Sequence, residues 1–244
     1  MNDIAAVILA GGYGTRVKHL LPNIPKPMAS VVNKPFLEWI ILYLKQQGIT
    51  QEILSTGYLW EVIEEHFKTH KVNGIDIHCC REQKPLGTAG GFVNAVKQVN
   101  LSPKAWLVMN GDSLIVADFQ KLVDYLDDQE VGCVILGVSV DDASRYGSLI
   151  FDNFNNLLKF AEKKAGKGVI NGGVYLFRHQ ILDNFPSKFP LSFEYDVFPT
   201  LIQQNIKIKV HPVQAPFLDI GTPETLPQAE TFIKENFTDL VELC

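Results

Sequence analysis

An apolar run that leads directly into a glycine-rich, basic loop dominates the start of the chain. Residues 4–10 are all apolar, residues 11–16 read Gly-Gly-Tyr-Gly-Thr-Arg, and Lys26 follows between two prolines. Glycines at 11, 12 and 14 allow positive φ and let backbone N–H groups approach an anion without a Cβ in the way. Arg16 and Lys26 add full positive charges. The pattern predicts a buried strand followed by a phosphate-binding loop, with a nucleoside triphosphate as ligand.

Two commoner phosphate loops do not fit these residues. A Walker A loop needs Ser or Thr after its Gly-Lys pair, whereas the pair at residues 166–167 is followed by Gly168. A dinucleotide fingerprint read from Gly12 has Val17 in place of the third glycine, and residues 55–57 are Ser-Thr-Gly where a dehydrogenase would carry an acid. A plain strand-to-helix turn remains the alternative, and the two flanking cations argue against it.

Composition restricts the class of protein and of partner. The chain has 244 residues, of which 46% are hydrophobic and 20% charged, enough for one large α/β domain with a buried core. The net charge is -5 and the basic residues are spread along the chain, so no nucleic-acid partner is expected. Any anion site must therefore be local.

The first residues do not resemble a targeting segment. Asn2 and Asp3 stand where a signal peptide would carry Lys or Arg, and the apolar run at residues 4–10 is too short to span a membrane. We therefore expect a cytoplasmic protein with no membrane partner. The cysteines form no Cys-x-x-Cys pattern, and we expect reduced thiols with no metal role.

Alternating strand and helix patterns predict the fold class. Apolar, β-branched runs suit strands, and the stretches between them repeat apolar residues every three to four positions, as helices on a sheet do. The predicted strands are 5–10, 52–56, 75–80, 106–109 and 131–138, and the helices are 36–47, 60–69, 90–99 and 119–127. This order predicts a doubly wound, mostly parallel sheet. In such sheets ligands bind beyond the carboxyl ends of the strands, where loops starting at 11, 82, 110 and 146 would lie.

The second half reads as an extension that covers the sheet. Its strands are shorter and its helices less regular, and no linker separates it from the first half. The predicted strands are 146–151, 157–162, 172–177 and 207–213, and the helices are 180–185, 195–204 and 223–235.

Two aspartates at strand ends are candidate metal ligands. Asp112 ends Asn-Gly-Asp after the strand at 106–109, and Asp219 ends another apolar run. Magnesium usually binds through one or two carboxylates together with substrate phosphates. Either aspartate alone could cap a turn, but together with a phosphate loop the pair predicts a magnesium site.

Other chemistry is less clearly encoded. Lys163, after Glu162 at the end of a predicted strand, could bind a second anion, whereas Lys164 and Lys167 read as solvated charges. Residues 85–91 form a turn whose backbone could border a planar ring. The six histidines have no ligand spacing and no nucleophile–base set stands out, so covalent catalysis is not expected.

Eight motifs in order resemble those of the sugar-1-phosphate nucleotidyltransferases, over residues 4–224. They are Gly11-Gly12-x-Gly14-Thr15-Arg16, Pro25-Lys26-Pro27, Pro85-Leu86-Gly87-Thr88, Asn110-Gly111-Asp112, Tyr146-Gly147, Glu162-Lys163, Asn171-Gly172-Gly173 and Asp219-Ile220-Gly221-Thr222-Pro223. Residues 82–90 resemble the guanylyltransferase branch. Residues 145–147 and 217–222 most resemble bacterial D-glycero-α-D-manno-heptose 1-phosphate guanylyltransferases.

The resemblance implies a Rossmann-like, GT-A-like nucleotidyltransferase fold with a sugar-binding extension, and a role for each matching residue. Arg16 and Lys26 would be catalytic, and Asp112 and Asp219 would hold Mg²⁺. The implied nucleotide-binding residues are Ala10, Gly11, Gly12, Gly14, Thr15, Arg16, Lys26, Glu82, Pro85, Gly87, Thr88, Asn110, Gly111 and Asp112. The implied sugar-phosphate residues are Tyr146, Gly147, Glu162, Lys163, Asn171 and Gly172.

The implied organisation is one nucleotidyltransferase domain over residues 1–244. Its nucleotide-binding half would be about 1–140, its sugar-phosphate half about 141–224, and 225–244 a C-terminal helix. Many relatives carry a further C-terminal domain, for which this sequence is too short, so a single activity is expected. Homo-oligomers are common in the family, but no interface is readable here.

The implied reaction joins a sugar 1-phosphate to a nucleoside triphosphate, giving a nucleotide sugar and pyrophosphate. The leading pair is GTP with D-glycero-α-D-manno-heptose 1-phosphate, for surface polysaccharide. Alternatives are a mannose-1-phosphate guanylyltransferase, or a uridylyl or cytidylyl relative. A non-catalytic regulatory subunit should lack Arg16, Lys26, Asp112 or Asp219, and all four are present. Lys164 departs from the family's Glu-Lys-Pro, which leaves the choice of sugar open.

Overall fold

The structure is a computed structural model that describes residues 1, 3–161 and 165–242. The strands are β1 (Ile4–Ala10), β2 (Ser30–Val31), β3 (Lys34–Pro35), β4 (Gln51–Thr56), β5 (Asp76–Arg81), β6 (Ala105–Asn110), β7 (Ser113–Ile115), β8 (Val131–Val140), β9 (Ser148–Phe151), β10 (Leu157–Ala161), β11 (Gly168–Arg178), β12 (Lys207–Val213) and β13 (Phe217–Asp219). The α-helices are α1 (Phe36–Gln46), α2 (Trp60–Thr69), α3 (Thr88–Gln98), α4 (Gln120–Asp124), α5 (Phe198–Gln203), α6 (Ala229–Asn236) and α7 (Thr238–Glu242).

The central sheet is mostly parallel, as predicted. Strand β1 pairs in parallel with β4 and β6, β4 pairs in parallel with β5, and β8 pairs in parallel with β12. The long strand β11 runs antiparallel between β6 and β8, and the β9–β10 hairpin continues the sheet from one end of β11. The predicted fold class is therefore confirmed, with β11 joining the two halves of the chain in one sheet.

Helices cover both faces of the sheet, which makes it doubly wound. Side chains alternate along β1, so that Ala6 and Ile8 join the core under α1 and α2, while Ala5 and Val7 join the core under α3 and α5. This strand is apolar at every position because both of its faces are buried, as in other parallel sheets. Within the described ranges, no helix combines the length and apolar character needed to cross a bilayer.

Four predicted helices differ in the structure. The stretch at 119–127 is the short α4 followed by a 3-10 turn, and 180–185 is a 3-10 helix, His179–Asn184. The stretch at 195–204 is a π-helical turn, Phe193–Val197, followed by α5, and the C-terminal helix is a 3-10 turn followed by the separate helices α6 and α7. Pro199 and Pro227 explain two of these differences, since proline is tolerated in a first turn and disrupts a helix interior.

Glu52 is a charged residue type in an apolar interior. It lies in β4 beside Ala6 of β1 and Ile77 of β5, and it is completely buried. Neither of its carboxylate oxygens has a hydrogen-bond partner among the described residues. Burial raises the pKa of Glu52 well above its usual range, because the interior does not solvate the ionised form. The fold therefore accommodates this side chain as the neutral acid.

Replacing Glu52 with methionine should stabilise the protein by about 1–3 kcal/mol at pH 8, because the buried polar atoms without partners are removed. The raised folded-state pKa means that wild-type stability is fully present below about pH 4, near the unfolded value, and falls as the pH rises toward the folded pKa. The gain should therefore be larger at pH 8 than at pH 4, as measured by urea unfolding. Glu65→Gln, on the exposed face of α2, is the control. An equal gain at both pH values would contradict the assignment.

Candidate active site

The predicted nucleotide-binding loops follow the carboxyl ends of β1, β5 and β6 and meet there. Their residues line one cavity of about 330 Å³. The predicted residues that line it are Gly11, Gly12, Gly14, Lys26, Glu82, Pro85, Gly87, Thr88, Asn110 and Asp112. The structure thus brings together segments that lie far apart in the sequence, at the edge of the sheet where the strand pattern predicted a ligand.

The three glycines of the first loop have different roles. Only Gly14 has a positive φ, 58°, so the expectation of positive φ at Gly11 and Gly12 is wrong. A Cβ on Gly11 would lie 2.6 Å from Oε1 of Glu82, so a larger residue here would have to displace that carboxylate. A Cβ on Gly12 would have no atom within 4 Å, so the backbone there is open to a ligand. Gly14 forms the turn that ends the loop, with its carbonyl accepting from the amide of Val17 at 3.0 Å.

Some predicted nucleotide residues do not line the cavity. Ala10 is fully buried at the end of β1. The amide of Gly111 donates to the carbonyl of Leu9 at 2.9 Å, and a Cβ on Gly111 would lie 2.7 Å from that oxygen. Thr15 is exposed. Ala10 and Gly111 therefore shape the site through backbone packing.

The carboxylate of Glu82 organises the second loop. Its Oε2 accepts from the amide of Leu86 at 3.0 Å, and its Oε1 accepts from the hydroxyl of Ser55 at 3.3 Å. Burial raises the pKa of Glu82, and these two hydrogen bonds act in the opposite direction. Each carboxylate oxygen can accept a second donor. Glu82 can thus hold the loop and still offer acceptors to a ligand in the cavity that it lines.

The second loop is fastened to the segment before α5. Gly87 has a φ of 79°, and a Cβ there would lie 2.5 Å from the carbonyl oxygen of Leu191. That same carbonyl accepts from the amides of Ala89 and Gly90, and the hydroxyl of Thr88 accepts from the amide of Phe193 at 3.2 Å. The loop is therefore held in one shape by contacts with a part of the chain about 100 residues away in sequence.

Asp112 and Asp219 are neighbours, as the metal prediction requires. Strand β13 pairs with β7 so that Asp219 stands opposite Ser113, and the amide of Ile220 donates to the carbonyl of Asp112 at 2.9 Å. Lys26 forms an ion pair with Asp112, and their side chains are 11% and 29% exposed. Two carboxylates and an ammonium group therefore meet at the edge of the nucleotide cavity.

Arg16 lies beside Asp219. A Cβ placed on Gly221 would lie 2.6 Å from Oδ1 of Asp219 and 2.9 Å from a terminal guanidinium nitrogen of Arg16. Both side chains therefore approach the same point beside Gly221. Burial and then the carboxylate of Asp112 raise the pKa of Asp219, while the amide of Gly221 and the charges of Lys26 and Arg16 oppose that shift. Both predicted catalytic cations are thus next to the predicted metal ligands.

The donor set at this point fits a hard divalent cation. Magnesium prefers carboxylate oxygens and completes its shell with water and substrate phosphates, and the two adjacent carboxylates supply the protein share. Among the described residues, no three His, Cys, Asp or Glu side chains form a metal cluster. The two adjacent carboxylates therefore suit a cation whose remaining ligands are water and substrate phosphates.

Four of the six predicted sugar-phosphate residues, Tyr146, Gly147, Asn171 and Gly172, lie within the described part of the chain. The ring of Tyr146 lies 5.9 Å from that of Phe217 in β13, and burial and then the carboxylate of Asp219 raise the pKa of Tyr146. The amide of Asn171 donates to the carbonyl of Gly147 at 3.2 Å, and Gly172 packs on the carbonyl of Leu136. Glu162 and Lys163 lie outside the described residues.

Several residues at the site were not among the predicted binding residues. Leu9, Tyr13 and Pro27 line the nucleotide cavity, and Tyr13 is 53% exposed. An exposed aromatic within a glycine loop is a signal that could have drawn attention to Tyr13. Arg145 lies 5.7 Å from the ring centroid of Tyr146 and so adds a third cation near the aspartates.

Comparison with known proteins gives the same outline. The profile of the family described as Nucleotidyl transferase matches residues 5–236. The D-glycero-alpha-D-manno-heptose 1-phosphate guanylyltransferase of Campylobacter jejuni is 39% identical over 223 residues, covering 90% of this chain and 95% of that protein. The mannose-1-phosphate guanylyltransferase of Mycobacterium tuberculosis is 32% identical over 226 residues, covering 91% of this chain and 62% of that protein. The crystal structure of HddC from Yersinia pseudotuberculosis complexed with GMP-PN has a TM-score of 0.80 and 36% identity, covering 93% of this chain and 98% of that one.

Proposed function

This chain belongs to the nucleotidyl transferase family, as its motifs predict, and we propose that it joins D-glycero-α-D-manno-heptose 1-phosphate to GTP, releasing pyrophosphate and GDP-heptose. The observation that carries the proposal is the convergence of the glycine loop, Lys26 and Asp112 on one cavity, with Asp219 held next to Asp112 by the pairing of β13 with β7. The Campylobacter jejuni relative that is 39% identical is named as a guanylyltransferase of that heptose phosphate. GTP is an intracellular metabolite, so the proposed place of action is the cytoplasm.

The two halves of the chain would act as one catalytic domain. Strand β11 of the second half pairs with β6 of the first, and Asp219 is aligned with Asp112 through β13 and β7. Residues from about 1–140 would hold the nucleotide, and residues from about 141–224 the sugar phosphate. The shared sheet supports a single domain. Because neither half contains both aspartates, the proposed metal site needs residues from both halves.

In the proposed reaction, an oxygen of the sugar phosphate attacks the α-phosphorus of GTP, a new P–O bond forms, and the bond to the bridging oxygen of pyrophosphate breaks. The attacking oxygen is already anionic at neutral pH, so no general base is required. Catalysis of such a transfer depends on positioning and on neutralising charge. Lys26 and Arg16 are the cations that would stabilise the negative charge on the transferred group and on the departing pyrophosphate.

Asp112 and Asp219 would hold Mg²⁺ in this reaction. A bound magnesium ion would neutralise phosphate charge and orient the phosphate oxygens. The ammonium group of Lys26 pairs with Asp112. We propose that Lys26 turns from Asp112 toward the triphosphate when nucleotide binds, since both the carboxylate and the phosphates attract the same positive charge.

Base recognition is assigned to the loop at residues 82–88. The Watson–Crick edge of guanine offers N–H donors, and the carboxylate of Glu82 offers two acceptors at the cavity wall. Glu82→Gln replaces one acceptor with a donor and should reduce the preference for GTP over ATP by about tenfold to 100-fold. The preference between sugar phosphates should not change. Gln83→Ala, an exposed neighbour in the same loop, is the control. If nucleotide discrimination survived every substitution at 82–88, the base-loop assignment would be wrong.

The experiment that tests the function is pyrophosphate release with Mg²⁺. GTP, CTP, UTP, ATP and dTTP should each be paired with D-glycero-α-D-manno-heptose 1-phosphate and with α-D-mannose 1-phosphate. Release with GTP among the nucleotides, and with a higher kcat/KM for the heptose phosphate than for mannose 1-phosphate, is the expected result. A higher kcat/KM for mannose 1-phosphate would favour the second candidate, a mannose-1-phosphate guanylyltransferase, which the 32% identical relative supports. No release with any pair would favour a non-catalytic subunit that binds nucleotide sugars.

A further inference from the structure

Glu194 is a half-buried carboxylate in contact with Asn171, one of the predicted sugar-binding residues. The side-chain amide of Asn171 donates to Oε1 of Glu194 at 2.8 Å and to the hydroxyl of Tyr175 at 2.8 Å. In the part of the chain that the structure describes, Oε2 of Glu194 has no hydrogen-bond partner. Half of this carboxylate is therefore occupied by Asn171, and the other half can accept from a ligand.

The path from the nucleotide to Glu194 can be followed through contacts. Asn110 lines the nucleotide cavity, and its amide nitrogen would lie 2.4 Å from a Cβ on Gly173. The amide of Gly173 donates to the side-chain oxygen of Asn171 at 3.0 Å, and Asn171 in turn contacts Glu194. Glu194 thus lies on the far side of the predicted sugar residues from the nucleotide.

A second cavity, of about 790 Å³, opens at this point. It is lined by Gly147, by residues 158–161 of β10, and by Glu194, Pro199 and Ile202. Lys159 and Gln203 also line it but are exposed, whereas Glu194 is half-buried. The cavity therefore adjoins the predicted sugar site through Gly147, is mostly apolar, and contains a partly buried carboxylate.

The two sugars left open by the sequence differ only in the chain attached to C5. Mannose carries a single hydroxymethyl group there, whereas the heptose carries one further carbon and so presents two neighbouring hydroxyl groups at C6 and C7. The longer chain needs extra room next to the ring and acceptors for two O–H donors. A carboxylate is acceptor-only when ionised and forms stronger hydrogen bonds with hydroxyl groups than a neutral acceptor does.

We propose that Glu194 is a specificity residue that binds the C6–C7 diol of the heptose, with the cavity beside Gly147 receiving that chain. The inference rests on the proposed function and names the feature of the substrate that this part of the site selects. A residue needed only to hold Asn171 would require a single acceptor atom, and Tyr175 already supplies a second one to the same amide. A role limited to holding Asn171 explains neither the adjoining cavity nor the position of Oε2 of Glu194, which has no partner among the described residues.

Glu194→Gln is the discriminating variant, because its amide oxygen can still accept from Asn171 while the charge and the second acceptor are lost. The measurement is kcat/KM with GTP for the heptose phosphate and for mannose 1-phosphate. We expect the value for the heptose phosphate to fall about tenfold or more and the value for mannose 1-phosphate to stay within about twofold. Glu194→Asp keeps the charge on a side chain that is shorter by one methylene group. It should also lower kcat/KM for the heptose phosphate relative to mannose 1-phosphate. Tyr175→Phe, which removes the other partner of Asn171, should leave the ratio unchanged.

Equal losses for both sugars in Glu194→Gln would show that Glu194 only positions Asn171, and would overturn the proposal. Unchanged values for both sugars would overturn it as well. In either case the activity of the wild-type protein would leave the proposed function standing. Wild-type protein that released no pyrophosphate with either sugar phosphate would instead overturn the proposed function, and the role of Glu194 with it.

Discussion

Replacing Lys26 with methionine is expected to lower kcat at least about 100-fold, the effect typical of losing one charge contact in a transition state. The side chain is 11% exposed, and its ammonium group pairs with Asp112, which lines the same cavity. Methionine keeps most of the length of the side chain and removes only the charge, so the 3-10 turn Lys26–Met28 should persist. Pyrophosphate release at saturating GTP and sugar phosphate measures the effect.

Lys97→Met is the matched control, because Lys97 is exposed on α3 and does not line the nucleotide cavity. Thermal unfolding of both variants should show that each is folded. Because Lys26 and Asp112 are in contact, the double variant Lys26→Met with Asp112→Asn should lose less activity than the product of the two single effects. A loss in Lys26→Met of less than tenfold would mean that Lys26 serves only as the ion-pair partner of Asp112.

Replacing Asp219 or Asp112 with asparagine should also lower kcat at least about 100-fold, and in addition should raise the Mg²⁺ concentration needed for half-maximal activity. Asparagine keeps the size of each side chain. At residue 219 its carbonyl oxygen can still accept from the amide of Gly221, which donates to Oδ1 of Asp219 at 2.6 Å in the wild-type protein. The fold should therefore be retained while a charged metal ligand is lost. Activity titrated with Mg²⁺ separates the two effects.

The contrast with Lys26→Met makes this prediction specific. That variant removes a competitor for Asp112, so it should not raise the Mg²⁺ requirement, whereas both aspartate variants should. Asp118→Asn is the control, because Asp118 is exposed and its Oδ1 accepts from the amide of Gln120 at 3.0 Å, the turn-capping role that was the alternative for Asp112. An unchanged Mg²⁺ requirement in Asp219→Asn would remove Asp219 from the proposed metal site.

Much of the nucleotide side of the site is readable from the sequence because it is built from local patterns. Three features each have a recognisable pattern only a few residues long. They are the strand ending at Ala10, the glycine loop with Gly14 in its turn, and the strand ending at Asn110. The parallel sheet then brings their carboxyl ends to one edge. Lys26 and Glu82 could be placed near this edge for the same reason, and both line the cavity.

The roles of particular atoms could not be predicted in this way. Gly11 avoids a clash with Glu82, and Gly87 avoids one with Leu191, although neither partner is close in sequence. The helices around Pro199 and Pro227 begin later than their apolar pattern suggests, since the prolines restrict where a helix can continue. Glu52 and Glu194 carry no local signal, because an isolated glutamate in a sequence is usually a solvated one.

By itself the sequence determined the alternation of strands and helices, the glycine-rich loop after the first strand and the identity of the charged residues, because these depend on periodicity and residue type over short stretches. Only the tertiary structure decided that Asp219 stands beside Asp112, through the pairing of β13 with β7, and that the carboxylate of Glu194 accepts from the side chain of Asn171. The physical reason is that distances between residues remote in sequence are set by strand pairing and packing of the whole chain, and no short pattern contains that information.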